Sequence, residues 1–293
     1  MRLPIIIKLN VLYPMKKIIA VDFGGSLIKS ALVENNKILK KFLIDTDANK
    51  GKNKIIENLI EAINVVYEKD VKDIGIGMPG PANYDKGIFI NPPNLKPLWN
   101  VNIKKYIQRK FRVNVKFEND ANCAALAELF FNKYRNFIVL TLGTGIGCGV
   151  IIGRKLYKGS GNASEAGHMI IDKGKDFEDL CSGTAIKRRS KELFKKELLI
   201  KDLVKLAKKG NKKAKQIVEE NANYMGIGIG NLVNIFDPEV IILEGGMKEA
   251  GNYYLNKVKK KVDEITLFKG RVIWSKVKDG GLLGASLLFR TLQ

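Results

Sequence analysis

VDFGGSLIKSALV at 21–33 and LTLGTGIGCGVII at 140–152 are one hairpin written twice. Each opens with an apolar strand, carries a polar residue near its end (Asp22, Thr141), turns on glycines and returns as a strand of small and β-branched residues. Glycine turns of this kind let a backbone approach a ligand closely and aim N–H groups at an anion, since glycine has no Cβ and tolerates positive φ. One copy in each half of the chain points to two lobes that grip a polyphosphate from both sides. That is the outline of a nucleotide-dependent phosphotransferase.

Working outward, residues 18–23, 28–33 and 37–44 read as three short strands, and a helix pattern runs from about Lys52 to Glu68 with its apolar residues on one face. The buried strand DIGIGM (73–78) stops at Pro79-Gly80-Pro81, and NPPNLKPLW (91–99) reads as an ordered loop. Asn100 is placed to cap a helix reaching about Arg112, after which the strand VNVKFEND (113–120) feeds directly into the helix DANCAALAELFF. The second half restarts at 137. A long helix over 212–236 contains GIGIGN, whose glycines weaken a helix unless close packing compensates. A strand at 239–246, a basic helix near 249–264, a strand at 271–276 and a terminal amphipathic helix complete the chain. Strands alternating with helices mean α/β, with a small N-terminal lobe over 15–120, a larger one over 121–280, and a last segment, 281–293, that can return to the first lobe.

Composition excludes little but orders the alternatives. At 293 residues and 45% hydrophobic content, two domains and a sizeable core are available. No apolar run reaches the roughly 18 residues that a membrane span needs. Residues 1–14, MRLPIIIKLNVLYP, are interrupted by Lys8 and Asn10 and lack a cleavage site, so they read as an upstream extension rather than a signal peptide. Three widely spaced cysteines make neither a disulfide framework nor a zinc knuckle, and a reducing cytoplasm is the default. The net charge of +21 comes from lysines spread along solvated helix faces, with no helix-turn-helix or zinc finger beside them. A lysine-rich surface is therefore expected rather than a nucleic-acid partner.

Four glycine-bearing turns, DFGG (22–25), MPGP (78–81), LGTGIG (142–147) and LEGG (243–246), each follow an apolar strand. Ligands of open α/β sheets bind beyond the carboxyl ends of strands, which makes four unrelated turns the poorer explanation. Asp120 is the candidate base, at the point where a buried strand hands over to a helix N-terminus; backbone N–H groups there are expected to lower its pKa. Asn119 can cap the helix equally well and so frees Asp120 for chemistry. SGNASEAGHM (160–169) holds the sole histidine, His168, three residues after Glu165, in a run too small-sided to build a core. Glu178 precedes Ser182-Gly183-Thr184, one of whose hydroxyls caps the next helix.

DFGGSLIKSALV, GIGMPGP, NPPNLKPLW, FENDANCAAL, LTLGTGIGCGVII, SEAGHM, SGTAI and LEGGM stand in the order and spacing of the ROK family of sugar kinases and repressors, which this chain resembles from about residue 16 to its end. The resemblance implies an α/β, two-lobed actin-like fold with a sheet in each lobe and a cleft between. It implies ATP-dependent phosphorylation of a hexose or N-acylated hexosamine with Mg²⁺, in a homodimer or higher homo-oligomer; the composition adds the expectation of a cytoplasmic protein with no membrane or nucleic-acid partner. Asp120 resembles the base that deprotonates the sugar hydroxyl, and Asn119, Glu165, His168 and Glu178 the residues that hold the sugar. Asp22, Gly24 and Gly25 resemble the first phosphate loop, with Asp22 near Mg²⁺ through water. Thr144 and Gly145 resemble the second loop, and Gly245 and Gly246 the adenosine motif.

Two departures stand out. Where many members carry a cysteine-rich zinc motif, this chain has IIDKGKDF (170–177), so no structural zinc is expected, and Cys181 alone cannot make a tetrahedral site. Leu27 stands where a polar residue is common, and Lys29, on the same face of a strand, is the candidate substitute. Two other readings compete. A sugar-responsive repressor needs a DNA-binding segment ahead of the first loop, where 21 residues precede Asp22, and has no need of the base. The other is a sugar- or nucleotide-binding module without catalysis.

Overall fold

Each glycine-turn hairpin forms the middle of a five-stranded sheet in the computed structural model, which describes residues 16–290. The expected extension, 1–14, lies outside the described residues, as do residues 291–293 of the terminal segment.

In the first sheet, β1 (Ile18–Phe23) and β2 (Leu27–Glu34) pair antiparallel with Asp22 opposite Lys29, and β3 (Lys37–Asp45) extends the sheet beyond β2. The helix α1 (Lys52–Val66) buries Ile55, Leu59 and Ile63 against this hairpin, the i, i+4, i+8 stripe read from the sequence. The fully buried strand β4 (Asp73–Met78) joins β1 in parallel. Two short strands, β5 (Ala82–Asn83) and β6 (Ile88–Phe89), lead to α2 (Ile103–Phe111) and then to β7 (Asn114–Asn119), parallel to β4. The cap of α2 is Asn102, whose side chain accepts the Lys105 N–H, and not Asn100. Asn100 sits two residues earlier with φ 57° and donates its N–H to the Phe89 carbonyl.

The helix α3 (Asp120–Phe131) leaves β7 with no intervening loop and packs Ala124, Ala125 and Leu129 on the second sheet. There β8 (Phe137–Leu142) and β9 (Ile146–Ile152) repeat the hairpin, and β10 (Lys155–Leu156) extends it as β3 extends the first. A small hairpin, β11 (Ile170–Asp172) with β12 (Lys175–Asp176), precedes α4 (Phe177–Cys181), α5 (Gly183–Phe194), α6 (Ile200–Lys208) and α7 (Lys212–Phe236). Next come β13 (Val240–Glu244), parallel to β8, then α8 (Gly251–Ile265), then β14 (Val272–Trp274), parallel to β13. The strand orders β3-β2-β1-β4-β7 and β10-β9-β8-β13-β14 are therefore one topology used twice. This is the doubled α/β, actin-like arrangement that the sequence implied.

The last helix, α9 (Gly280–Leu287), returns to β1 and β4 of the first sheet and lies along α3. In α7, Gly226 meets the stem of Lys261 on α8, Gly228 meets the Phe177 ring and Gly230 meets Ile265. Each glycine costs the helix about 1 kcal/mol. Burial of Phe177, which is fully buried, contributes about 2–3 kcal/mol, so at Gly228 close approach outweighs propensity. Among the described residues no helix is long and apolar enough to cross a membrane.

Candidate active site

The parallel strands of both sheets end at one cleft. In the first sheet Asp22 pairs with Gly77, Gly77 with Glu118, and Met78 with Asn119, so Asp22, Pro79-Gly80 and Asn119-Asp120 emerge side by side. In the second, Thr141 pairs with Glu244, which aligns the loop after β8 with Gly245-Gly246. The start of α9 joins these two edges, since Gly281 lies against Asp22 and Gly280 donates its N–H to Glu244.

Asp120 is the first residue of α3. Asn119 takes the capping role, its side-chain oxygen accepting the Ala121 and Asn122 N–H groups at 2.9 and 3.1 Å. Asp120 Oδ1 accepts the Ala121 N–H as well, at 2.8 Å. The expected lowering of its pKa does not follow. Burial, with the negative charges of Asp22 and Glu165, outweighs the N–H contacts and pushes the Asp120 carboxyl up to about 6.

The sugar-side candidates approach from the second sheet. Glu165 stands at the start of the 3₁₀ turn Ala166–His168, and a Cβ placed on Gly80 would lie 2.7 Å from its Oε1 and 3.0 Å from the Tyr84 hydroxyl. Partial burial raises the Glu165 pKa, His168 opposes the rise and Glu178 adds to it, which places these three groups in one electrostatic neighbourhood. His168 is mostly exposed, with Nδ1 3.2 Å from Asp176 Oδ2. Glu178, on α4, turns to the second glycine loop, where its Oε2 accepts the Ile146 N–H at 2.7 Å and covers Gly145. Beneath them Phe177 anchors the 170–176 hairpin in the core, its N–H bonded to the Met169 carbonyl.

On the nucleotide side, Gly24 and Gly25 form the β1–β2 turn, braced by the Thr46 hydroxyl on the Gly24 carbonyl. Asp22 Oδ2 accepts Lys29 Nζ at 2.7 Å. Burial works against the Lys29 charge, but Asp22 prevails and holds its pKa above the ordinary lysine value. Lys29 thus does face the site that Leu27 leaves without a polar group. The Thr144 carbonyl accepts both the N–H and the hydroxyl of Thr184, and the Gly143 carbonyl accepts the Gly183 N–H, so the second loop rests on the start of α5. Ser182 is the residue that caps α5, through the Ala185 N–H. Gly245, with φ 102°, passes close to the Leu142 carbonyl, and Gly246 faces open space. Among the described residues no group of three or more His, Cys, Asp or Glu is arranged to hold a metal ion. A Mg²⁺ that takes most of its ligands from water and phosphate needs no such group.

Sequence reasoning missed four groups here. Glu118 is buried beside Asn119 and pairs with Lys158 at 2.8 Å; its place two residues before the base was the available signal. Tyr84 is buried against Gly80, and burial raises its pKa. Ser164, preceding Glu165, is held at φ 73°, a left-handed conformation that costs a non-glycine residue about 1–2 kcal/mol. Glu244 ends β13 and accepts the Gly280 N–H that opens α9; burial, followed by the charge of Glu128, pushes it up to about 7.

The model of the ROK family matches residues 18–291. A glucokinase of Thermotoga maritima is 31% identical over 94% of this chain and 98% of its own length. A xylose repressor of Caldicellulosiruptor bescii is 29% identical over 95% of this chain and 78% of its own. Among solved structures, a ROK family glucokinase from Streptomyces griseus, in complex with glucose and AMPPNP, superposes with a TM-score of 0.81 at 27% identity, covering 92% of this chain and 98% of that one.

Proposed function

Because this chain belongs to the ROK family, we propose that it is an ATP-dependent kinase of a hexose or N-acylated hexosamine, with Asp120 as the general base. The observation that carries the reading is the place of the Asp120 carboxyl at the start of α3, held by the Ala121 N–H, with Asp22 and Glu165 near enough to help burial raise its pKa to about 6. A base whose pKa lies close to the working pH combines a usable ionised fraction with driving force for proton transfer.

The sugar hydroxyl gives its proton to Asp120 as its oxygen bonds to the γ-phosphorus. The bond from that phosphorus to the β-bridging oxygen breaks, and ADP leaves. Asn119, Glu165, His168 and Glu178 orient the sugar, and the N–H groups of the two glycine turns face the phosphates. Mg²⁺, when bound near Asp22, offsets the charge of the phosphates. The likeness to a glucokinase bound to glucose and AMPPNP supports both the sugar and the nucleotide. A sugar-responsive regulator is the second reading, favoured by the xylose repressor at 29% identity.

The test is a coupled kinase assay over a panel of hexoses and N-acylated hexosamines. Asp120→Asn is expected to lower kcat by about 10²–10⁴-fold while sugar binding persists. Wild type inactive on every sugar yet binding one of them would favour the regulator. Full activity in the variant would remove Asp120 from the mechanism.

A further inference from the structure

The segment from 157 to 165 follows β10 of the second sheet, yet its side chains engage the first. Lys158 Nζ lies 2.8 Å from Glu118 Oε2, Asn162 Oδ1 accepts the Ala82 N–H at 3.1 Å, and Glu165 Oε1 faces Gly80. These contacts recur every three or four residues, so the segment touches β7, β5 and the turn after β4 in succession.

Glu118 is the centre of this contact. Its side chain is 5% exposed, while Lys158 keeps 41% of its side-chain surface. Glu118 Oε1 accepts the Asn119 N–H and the Asn122 Nδ2, each at 3.0 Å. Both carboxylate oxygens are therefore occupied, one by the first turn of α3 and one by the ammonium of the other lobe. A buried carboxylate that loses its cation leaves an uncompensated charge, which its surroundings relieve by shifting. The groups that would shift first are those bonded to Oε1: Asn119, which caps α3, and Asn122 within its first turn. Asp120 lies between them.

We propose that Lys158 is a positioning residue: through Glu118 it fixes the first turn of α3, and so holds Asp120 and Asn119 in register with the Glu165 segment that carries Lys158 itself. The pair then acts as a latch between the base on one lobe and the sugar-holding segment on the other. The kinetic side of this inference rests on the kinase reading; the mechanical side does not.

Two measurements on the full chain separate these. In the sugar-free protein, hydrogen exchange is expected to quicken in Lys158→Met at both 119–124 and 159–165, with Glu118→Gln giving the same pattern and the double variant adding little. In the kinase assay, Lys158→Met is expected to lose up to about 100-fold in kcat/KM for the sugar, the consequence of a misplaced reacting group, with the nucleotide KM unchanged. Lys158→Arg, which keeps the charge, restores most of it. A variant that melts earlier but keeps wild-type kinetics and exchange at 119–124 would reduce the pair to ordinary stabilisation and overturn the proposal. Wild type without activity on any sugar would instead sink the kinase reading, and the exchange pattern would still decide the latch.

Discussion

Asp120 lies under two opposed influences, and their balance sets how it titrates. The Ala121 N–H favours the anion, whereas burial and the charges of Asp22 and Glu165 favour the neutral form; the second group wins, at about 6. For the proposed base, kcat/KM for the sugar should rise about tenfold per pH unit below that value and level off above it. A profile flat from pH 5 to 8 would exclude Asp120 as the titrating base. The same balance fixes a stability effect. The folded pKa lies above the ordinary aspartate value of 3.8, so the native state binds more protons than the unfolded chain between about 4 and 6, and stability falls as pH rises through that window. Asp120→Asn should therefore stabilise the protein at pH 7, by up to about 3 kcal/mol, with the gain shrinking toward pH 4. Urea melts at the two pH values check this. Position and side chain were legible in FENDAN, but the sign of the shift was not, because it comes from burial first and then from Asp22 and Glu165, all set by other parts of the chain. Ser164 poses a smaller case. At φ 73° and with its hydroxyl oxygen buried without a partner among the described residues, it should be improved by glycine, and Ser164→Gly is expected to raise stability by about 1 kcal/mol in the same melts.

Elements whose boundaries are set by local chemistry match the sequence reading closely. The expected long helix coincides with α7, and DIGIGM with β4, because apolar periodicity and proline stops act within a few residues. The misplaced cap of α2 belongs to the same scale: Asn100 and Asn102 are equally good caps, and the choice falls to the contact between Asn100 and Phe89 on β6. What sequence could leave only as an option was the destination of α9. Its seat depends on backbone touching backbone, since a Cβ on Gly284 would overlap the Cys123 carbonyl of α3 and one on Gly75 would overlap the Ala285 carbonyl. Neither neighbour is a flexible side-chain end, so the strain cannot be relieved by a rotamer change. Gly284→Ala should cost about 3 kcal/mol, at the upper end of overpacking effects, and be read as a lowered urea midpoint at constant m. An unchanged midpoint would mean that α9 is not held against α3 as described.

At the scale of the whole molecule the doubled topology was readable because each hairpin is local, while the contacts joining the two sheets were not, because they pair residues such as Glu118 and Lys158. Charge divides in a comparable way. The chain carries +21, yet the cleft holds Asp22, Asp120, Glu165, Glu178 and Glu244, so a basic exterior surrounds an acidic floor. For a triphosphate the exterior field is attractive at long range, and Lys29 is already paired with Asp22 on arrival. A neutral hexose feels neither. The screening length falls from about 10 Å at 0.1 M salt to a few ångströms near 1 M, so the exterior contribution should fade while contacts inside the cleft persist. The nucleotide KM should accordingly rise several-fold between about 0.05 and 0.5 M KCl at saturating Mg²⁺, with the sugar KM nearly constant. Steady-state kinetics on the sugar found by the panel test both constants in one experiment. If both rise together, salt is acting on the protein as a whole and not on the attraction of the anion; if neither moves, the lysine-rich surface has no part in nucleotide capture. Only a selective rise in the nucleotide constant fits a field that draws in the anionic substrate and leaves its recognition to the two glycine turns.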